Sequence, residues 1–253
     1  MNETQIWFGY TRVTKLSRAA KPAPEAIVLF HGFPGQPPAA DVEKYKNVPR
    51  MRIELAKALL SDRNIDAYLP SYEGVGESRG KFRFDRSVTR SAELAKQIAA
   101  DGYQRLHVAG HSWGGFVAFN AHRSLGDRAG RLVLLAGLLD LESERWIRGW
   151  LPEYIKNYPE ILGSDALALD RVAQDLEGTR ALYNPMTLAT PMAEDALLIA
   201  HGRQDLYVDI DISRRFHQGA GGRYLELDDD HVFSKDMPRI IDEVVRFISG
   251  TER

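Results

Sequence analysis

The chain has 253 residues, 44% hydrophobic and 27% charged, which places it among globular proteins and excludes a disordered polymer. A formal net charge of -2 and the lack of any long basic run argue against nucleic acid or an anionic membrane as the main partner. With no cysteine there can be no disulfide, no thiol nucleophile and no thiolate metal site.

Read in chain order, Met1 to Tyr10 lacks the basic start and apolar run of a signal peptide. No stretch approaches the roughly 18 apolar residues of a membrane span, so a cytoplasmic location is the expectation. Gln5 to Lys15 predicts one or two antiparallel strands at a sheet edge. Ala26–Phe30 is the first buried strand, followed by the turn His31-Gly32-Phe33-Pro34-Gly35. Met51–Leu60 predicts a helix, Ile65–Leu69 a strand, and Ser87–Ala100 a helix with Val88, Ala92, Ala95 and Ala99 on one face. Leu106–Ala109 is a strand, Phe116–Arg123 a helix, and Arg131–Ala136 and Ala196–Ala200 two more strands. Arg223–Leu227 and a helix over Pro238–Ser249 close the chain.

Strands that are apolar throughout and alternate with helices predict a parallel sheet covered on both faces. The alternation lapses once, between Gly137 and Asp195, which is too long for an ordinary loop. Residues 1–137 and 196–253 are therefore expected to form the core domain, with 138–195 an inserted helical cap. Within it, Trp146, Trp150, Tyr154 and Tyr158 recur every four residues, an aromatic stripe that Pro152 either interrupts or restarts. These rings either pack the cap onto the sheet or form an apolar wall for an acyl or aryl group. Trp146, Trp150 and Tyr154 are the candidate substrate-binding residues.

Gly110-His111-Ser112-Trp113-Gly114 carries the G-x-S-x-G spacing. A serine projected from a sheet edge needs a sharp strand-to-helix turn with little bulk on either side. Glycines two residues before and after it supply that room. The start of the next helix then turns amide N–H groups towards a developing oxyanion. An apolar strand precedes this motif and a helix follows it, the context the chemistry requires.

On these residues the chain resembles the α/β-hydrolases of the esterase and lipase type, with some likeness to serine aminopeptidase-like members. The resemblance spans nearly the whole chain and implies an α/β-hydrolase fold: a mostly parallel sheet, helices on both faces and a small cap. It implies an oxyanion hole from the amides of Phe33, in the His31-Gly32 turn, and Trp113. Pro34 cannot donate. It implies an acid after a late strand, which here is Asp205, with Asp140 after the preceding strand as the alternative. It implies a base after the last strand, which here is His231 in Asp228-Asp229-Asp230-His231. The neighbouring aspartates either fix that loop or raise the local negative potential.

Ser71–Gly80 resembles a glycine-rich structural turn of the same family and matches neither phosphate-binding spacing. No histidine–acid cluster indicates a metal, and the reaction needs no cofactor. The expected activity is hydrolysis of a carboxylic ester of a small acyl substrate through an acyl-enzyme. Amide or thioester cleavage on the same residues, or a silent hydrolase fold used for binding, stand as alternatives. The sequence leaves oligomeric state open.

Overall fold

The computed structural model describes residues 1–18, 23–33, 47–141, 149 and 151–251, and side chains in the first helix from Met51 onward. Eight strands form one sheet: β1 (Asn2–Phe8), β2 (Thr11–Ser17), β3 (Glu25–Phe30), β4 (Ile65–Pro70), β5 (Arg105–His111), β6 (Ala129–Leu135), β7 (Leu197–Gly202) and β8 (Arg223–Leu227). Their spatial order is β1-β2-β4-β3-β5-β6-β7-β8. From β4 to β8 every pairing is parallel, while β1 and β2 form an antiparallel hairpin at one edge. The expected alternation and the edge hairpin are both present.

The helices are α1 (Asn47–Arg63), α2 (Phe84–Ala100), α3 (Trp113–Arg123), α4 (Leu151–Asn157), α5 (Ala168–Tyr183), α6 (Ile210–Ala220) and α7 (Met237–Ser249). Single helical turns lie at Pro159–Leu162 and Pro185–Leu188. Alternate side chains along each strand point to opposite faces, and both faces are apolar. On one, Ile27, Leu29, Ala67, Val133 and Leu198 meet Leu55 and Leu59 of α1 and Ile240 and Val244 of α7. On the other, Val28, Phe30, Val108, Leu134 and Ile199 meet Val88 and Ile98 of α2, Phe116 of α3 and Phe216 of α6. Each full burial of such a side chain contributes roughly 1.5–3 kcal/mol, so the sheet is held from both sides. A polar group on these strands needs a partner. The buried Asp66 finds one in the Tyr103 hydroxyl, 2.8 Å away.

Three helices start earlier than their apolar patterns predict. The largest consequence is at α3, which begins at Trp113 rather than Phe116 and so includes Gly114 and Gly115. Between β6 and β7, α4, α5 and the two single turns join the second apolar layer through Leu151, Leu162, Val172, Leu176 and the partly buried Met186. Pro152 stands at the second position of α4, where its missing N–H costs no helical bond.

Candidate active site

The carboxyl ends of β3, β5 and β7 converge on one rim of the sheet, and each delivers part of the site. At the end of β5 the chain reverses into α3 through Ser112, whose φ of 57° and ψ of -123° lie outside the regions favoured by residues with a Cβ. The reversal brings strand and helix into contact. A Cβ at Gly110 would overlap the carbonyl of Gly114, and one at Gly114 would lie 2.5 Å from the Phe30 carbonyl oxygen. Both glycines of the motif are thus required by backbone contact. Ser112 itself is held by its N–H to Leu135 and by its carbonyl, which accepts from Gly115 and Leu138.

The end of β3 passes directly over this turn. A Cβ at Gly32 would sit 3.2 Å from the Cβ of Ser112, so the loop that carries Phe33 leaves β3 at the Ser112 turn. The loop is fixed from below by the Tyr72 hydroxyl, which donates to the His31 carbonyl at 2.7 Å. His31 is neutral, its pKa pushed down to about 3 by burial and by the nearby Arg52 guanidinium. Among the described residues no hydrogen bond satisfies the amides of Phe33 or Trp113. As the first residue of α3, Trp113 has no acceptor within its own helix. Its indole is fully buried and donates to Ser87 Oγ at 3.0 Å.

Asp205 and His231 meet at the ends of β7 and β8. His231 Nδ1 donates to Asp205 Oδ2 at 2.7 Å. The same oxygen takes a second bond, from His201 Nε2 at 2.9 Å, and Oδ1 accepts the amides of Tyr207 and Val208 at 2.8 and 2.9 Å. Burial alone would raise the Asp205 pKa. The hydrogen bonds from His201 and His231 outweigh it and hold the carboxyl well below its usual range. The carboxylate is therefore charged and fully bonded.

His231 is tied to the Ser112 turn through His111. His111 Nε2 donates to the His231 carbonyl at 2.7 Å, and the two rings lie 4.7 Å apart. His111 too is neutral, pushed down to about 3 chiefly by burial. The aspartates before His231 build its loop. Asp229 accepts from the amides of Asp230, Lys235 and Asp236, and Asp230 accepts from those of Val232 and Ser234. Of the two roles open to them from sequence, fixing the loop is the one the bonds display.

The remaining site expectations fall as follows. Asp140, the alternative acid, bonds Asn184 Nδ2 at 3.1 Å and Arg215 at 3.2 Å and has no bond to His231. Tyr154 packs its ring 4.6 Å from Phe33 and 5.7 Å from Tyr158, and the Tyr207 ring lies 5.4 Å from His231. Trp146 and Trp150 lie outside the described residues. Sequence reasoning passed over His111, His201 and Ser213. The only signal was the spacing of His201, four residues before Asp205. Among the described residues no group of three or more histidine or acidic side chains is placed to hold a metal, and no helix is long and apolar enough to cross a membrane.

A serine in a strained strand-to-helix turn and an aspartate–histidine pair thus lie at the carboxyl ends of one parallel sheet. The chain belongs to the α/β-hydrolase family, whose sequence model matches residues 27–247. No curated protein sequence matches it significantly. Among solved structures it is similar to Est1E from Butyrivibrio proteoclasticus, determined with ferulic acid, at a TM-score of 0.69 and 16% identity over 98% of each chain. It is also similar to XC6422 from Xanthomonas campestris, a serine hydrolase described as having no lid, at a TM-score of 0.63 and 15% identity over 98% of this chain and 94% of that one. The monoacylglycerol lipase of Paleococcus ferrophilus matches at a TM-score of 0.61 and 15% identity over 99% of this chain and all of its own. At these identities the likeness is one of fold.

Proposed function

We propose that the chain is a serine hydrolase that cleaves carboxylic esters, with Ser112 as nucleophile, His231 as general base and Asp205 as the acid that orients it. Ser112 is a weak nucleophile until His231 Nε2 takes its proton. Asp205 holds the ring in the tautomer with hydrogen on Nδ1, leaving Nε2 free to accept, and stabilises the imidazolium that results. Attack on the acyl carbon opens the carbonyl to an oxyanion that the Phe33 and Trp113 amides bind. His231 then passes its proton to the leaving alcohol as the C–O bond breaks, and water repeats the sequence on the acyl-enzyme. Residues 138–195 act as the cap, and Tyr154, edge-to-face with the Phe33 ring, borders the acyl or aryl group.

The observation that carries this reading is the 2.7 Å bond from His231 to Asp205 on a loop fastened to the residue beside Ser112. The lipase and the ferulic acid complex among the fold neighbours favour esters over amides. Ser112→Ala should abolish turnover of p-nitrophenyl esters while leaving the thermal transition within about 2 °C of the parent. Near-parental turnover in that variant rejects the assignment. A panel of p-nitrophenyl esters, aminoacyl anilides and acyl thioesters should give the highest kcat/KM with esters. A higher value for either other class would move the substrate assignment and leave the residues in place.

A further inference from the structure

We infer that His201 and Ser213 are positioning residues that extend the proposed Ser112–His231–Asp205 arrangement into the core, an inference that rests on that arrangement being the reactive one. His201 stands near the end of β7, fully buried. Its Nε2 lies 2.9 Å from Asp205 Oδ2 and 3.1 Å from the Val208 carbonyl, and its Nδ1 lies 2.7 Å from Ser213 Oγ on α6.

These partners fix its tautomer. The Val208 carbonyl can only accept, so Nε2 carries the hydrogen; Nδ1 is then bare and accepts the Ser213 hydroxyl. A continuous chain of donors results: Ser213 O–H to His201 Nδ1, His201 Nε2–H to Asp205 Oδ2, and His231 Nδ1–H to the same oxygen. With two amides on Oδ1, all four acceptor positions of the carboxylate are filled. The carboxylate cannot rotate away from His231 without breaking a bond to a buried group.

The second imidazole does more than lock the angle. A second N–H on Oδ2 draws off part of its negative charge. Asp205 is then a weaker acceptor towards His231, and the proton that arrives from Ser112 stays on the imidazole. Without His201, the unshared oxygen would pull harder on His231 Nδ1–H, and His231 would keep its proton to higher pH. A residue that merely filled this space would need no polar atom, because an unbonded imidazole here costs stability. Both ring nitrogens of His201 are bonded, and the contacts to Ser213 and Asp205 link α6 to the carboxylate that His231 shares.

The test compares three variants of the full chain, each checked for folding by thermal melting, using hydrolysis of p-nitrophenyl acetate. His201→Phe keeps a ring and removes both nitrogens. His201→Gln restores an amide N–H at similar reach. Ser213→Ala removes the donor to Nδ1, which leaves the tautomer in place but makes the Nε2–H a weaker donor to Asp205. His201→Phe should lower kcat roughly 10- to 100-fold with KM unchanged, and move the acid limb of kcat/KM upward by about half a pH unit. His201→Gln should recover most of kcat, and Ser213→Ala should move the limb in the same direction by less.

A folded His201→Phe with the parental acid limb overturns the inference. So does a loss of kcat that His201→Gln does not restore, which is the signature of packing damage alone. If neither variant at 201 folds, Ser213→Ala decides: an upward limb supports the inference and an unmoved one rejects it. Ser112→Ala, run alongside, separates the two levels. Retained turnover there removes the underlying reading and this inference with it, whereas a dead Ser112→Ala beside an unaffected His201→Phe removes the inference alone.

Discussion

Ser112 holds a backbone conformation that costs about 1–3 kcal/mol in a residue with a Cβ, and its surroundings enforce it from three directions. Its own amide and carbonyl are bonded to Leu135, Gly115 and Leu138, and the glycines at 110 and 114 let strand, helix and β3 loop touch. That strain was legible in the motif, because glycine at those two spacings has no other strong reason to recur. The pairing of Asp205 with His231 was legible only through family resemblance and chain order. The role of His201 was not legible, since it depends on β7 and α6 meeting in space. At this scale the account makes a direct prediction. Asp205→Asn can offer His231 a donor where an acceptor is needed, which favours the wrong tautomer. It should lower kcat by roughly 10⁴ with little change in KM. A loss below about tenfold, measured on a p-nitrophenyl ester, would show that Asp205 does not orient the base.

The elements are positioned by polar contacts as well as by apolar faces. The first turn of α2 has no cap from its own preceding residue, Arg83. Instead Asp175, on α5, accepts the amides of Phe84 and Asp85 at 2.7 and 3.2 Å. One carboxylate therefore completes a helix of the sheet layer and pins a helix of the intervening segment. Asp175→Ala should cost about 1 kcal/mol, a fall of roughly 2–4 °C in Tm for a chain of this size, and leave kcat on a small ester nearly unchanged. An unaltered Tm would mean that this cap contributes nothing. The contact explains why the start of α2 escaped the sequence pattern: apolar periodicity locates Val88 onward, but the first turn is fixed by a residue ninety positions away. The start of α3 escaped for a different reason. Glycines at 114 and 115 read as a loop by propensity, whereas the sharp turn at Ser112 makes them the first turn of a helix.

Across the whole molecule, the alternation of apolar strands and helices sufficed for a parallel sheet with two covered faces. It did not determine the exchange of β3 and β4 in the strand order, because both are equally apolar and only their crossovers distinguish them. The same dense burial makes the molecule sensitive to acid. His111 is held neutral down to about 3, whereas in the unfolded chain it titrates near 6.5. Between those values the unfolded chain binds a proton that the native one refuses, so stability is complete above about pH 6.5 and declines as the pH falls towards 3. The slope from one such group reaches about 1.4 kcal/mol per pH unit. Asp205 acts in the same sense lower down: its depressed pKa lends stability that is present above the ordinary aspartate value of 3.8 and fades below it. Tm should therefore drop between pH 7 and pH 5, and less steeply in His111→Gln, which keeps a donor for the His231 carbonyl. Identical slopes in the two proteins would refute this origin.

All of this converges on one hydroxyl. A fluorophosphonate probe phosphonylates a serine only where a base withdraws its proton and an oxyanion site receives the phosphoryl oxygen, so it reads the assembled site without any knowledge of the substrate. One probe per chain is expected, mapped to the peptide that holds Ser112 and absent from Ser112→Ala and His231→Ala. An unmodified Ser112 in folded protein, or label on another serine with Ser112 untouched, would contradict it.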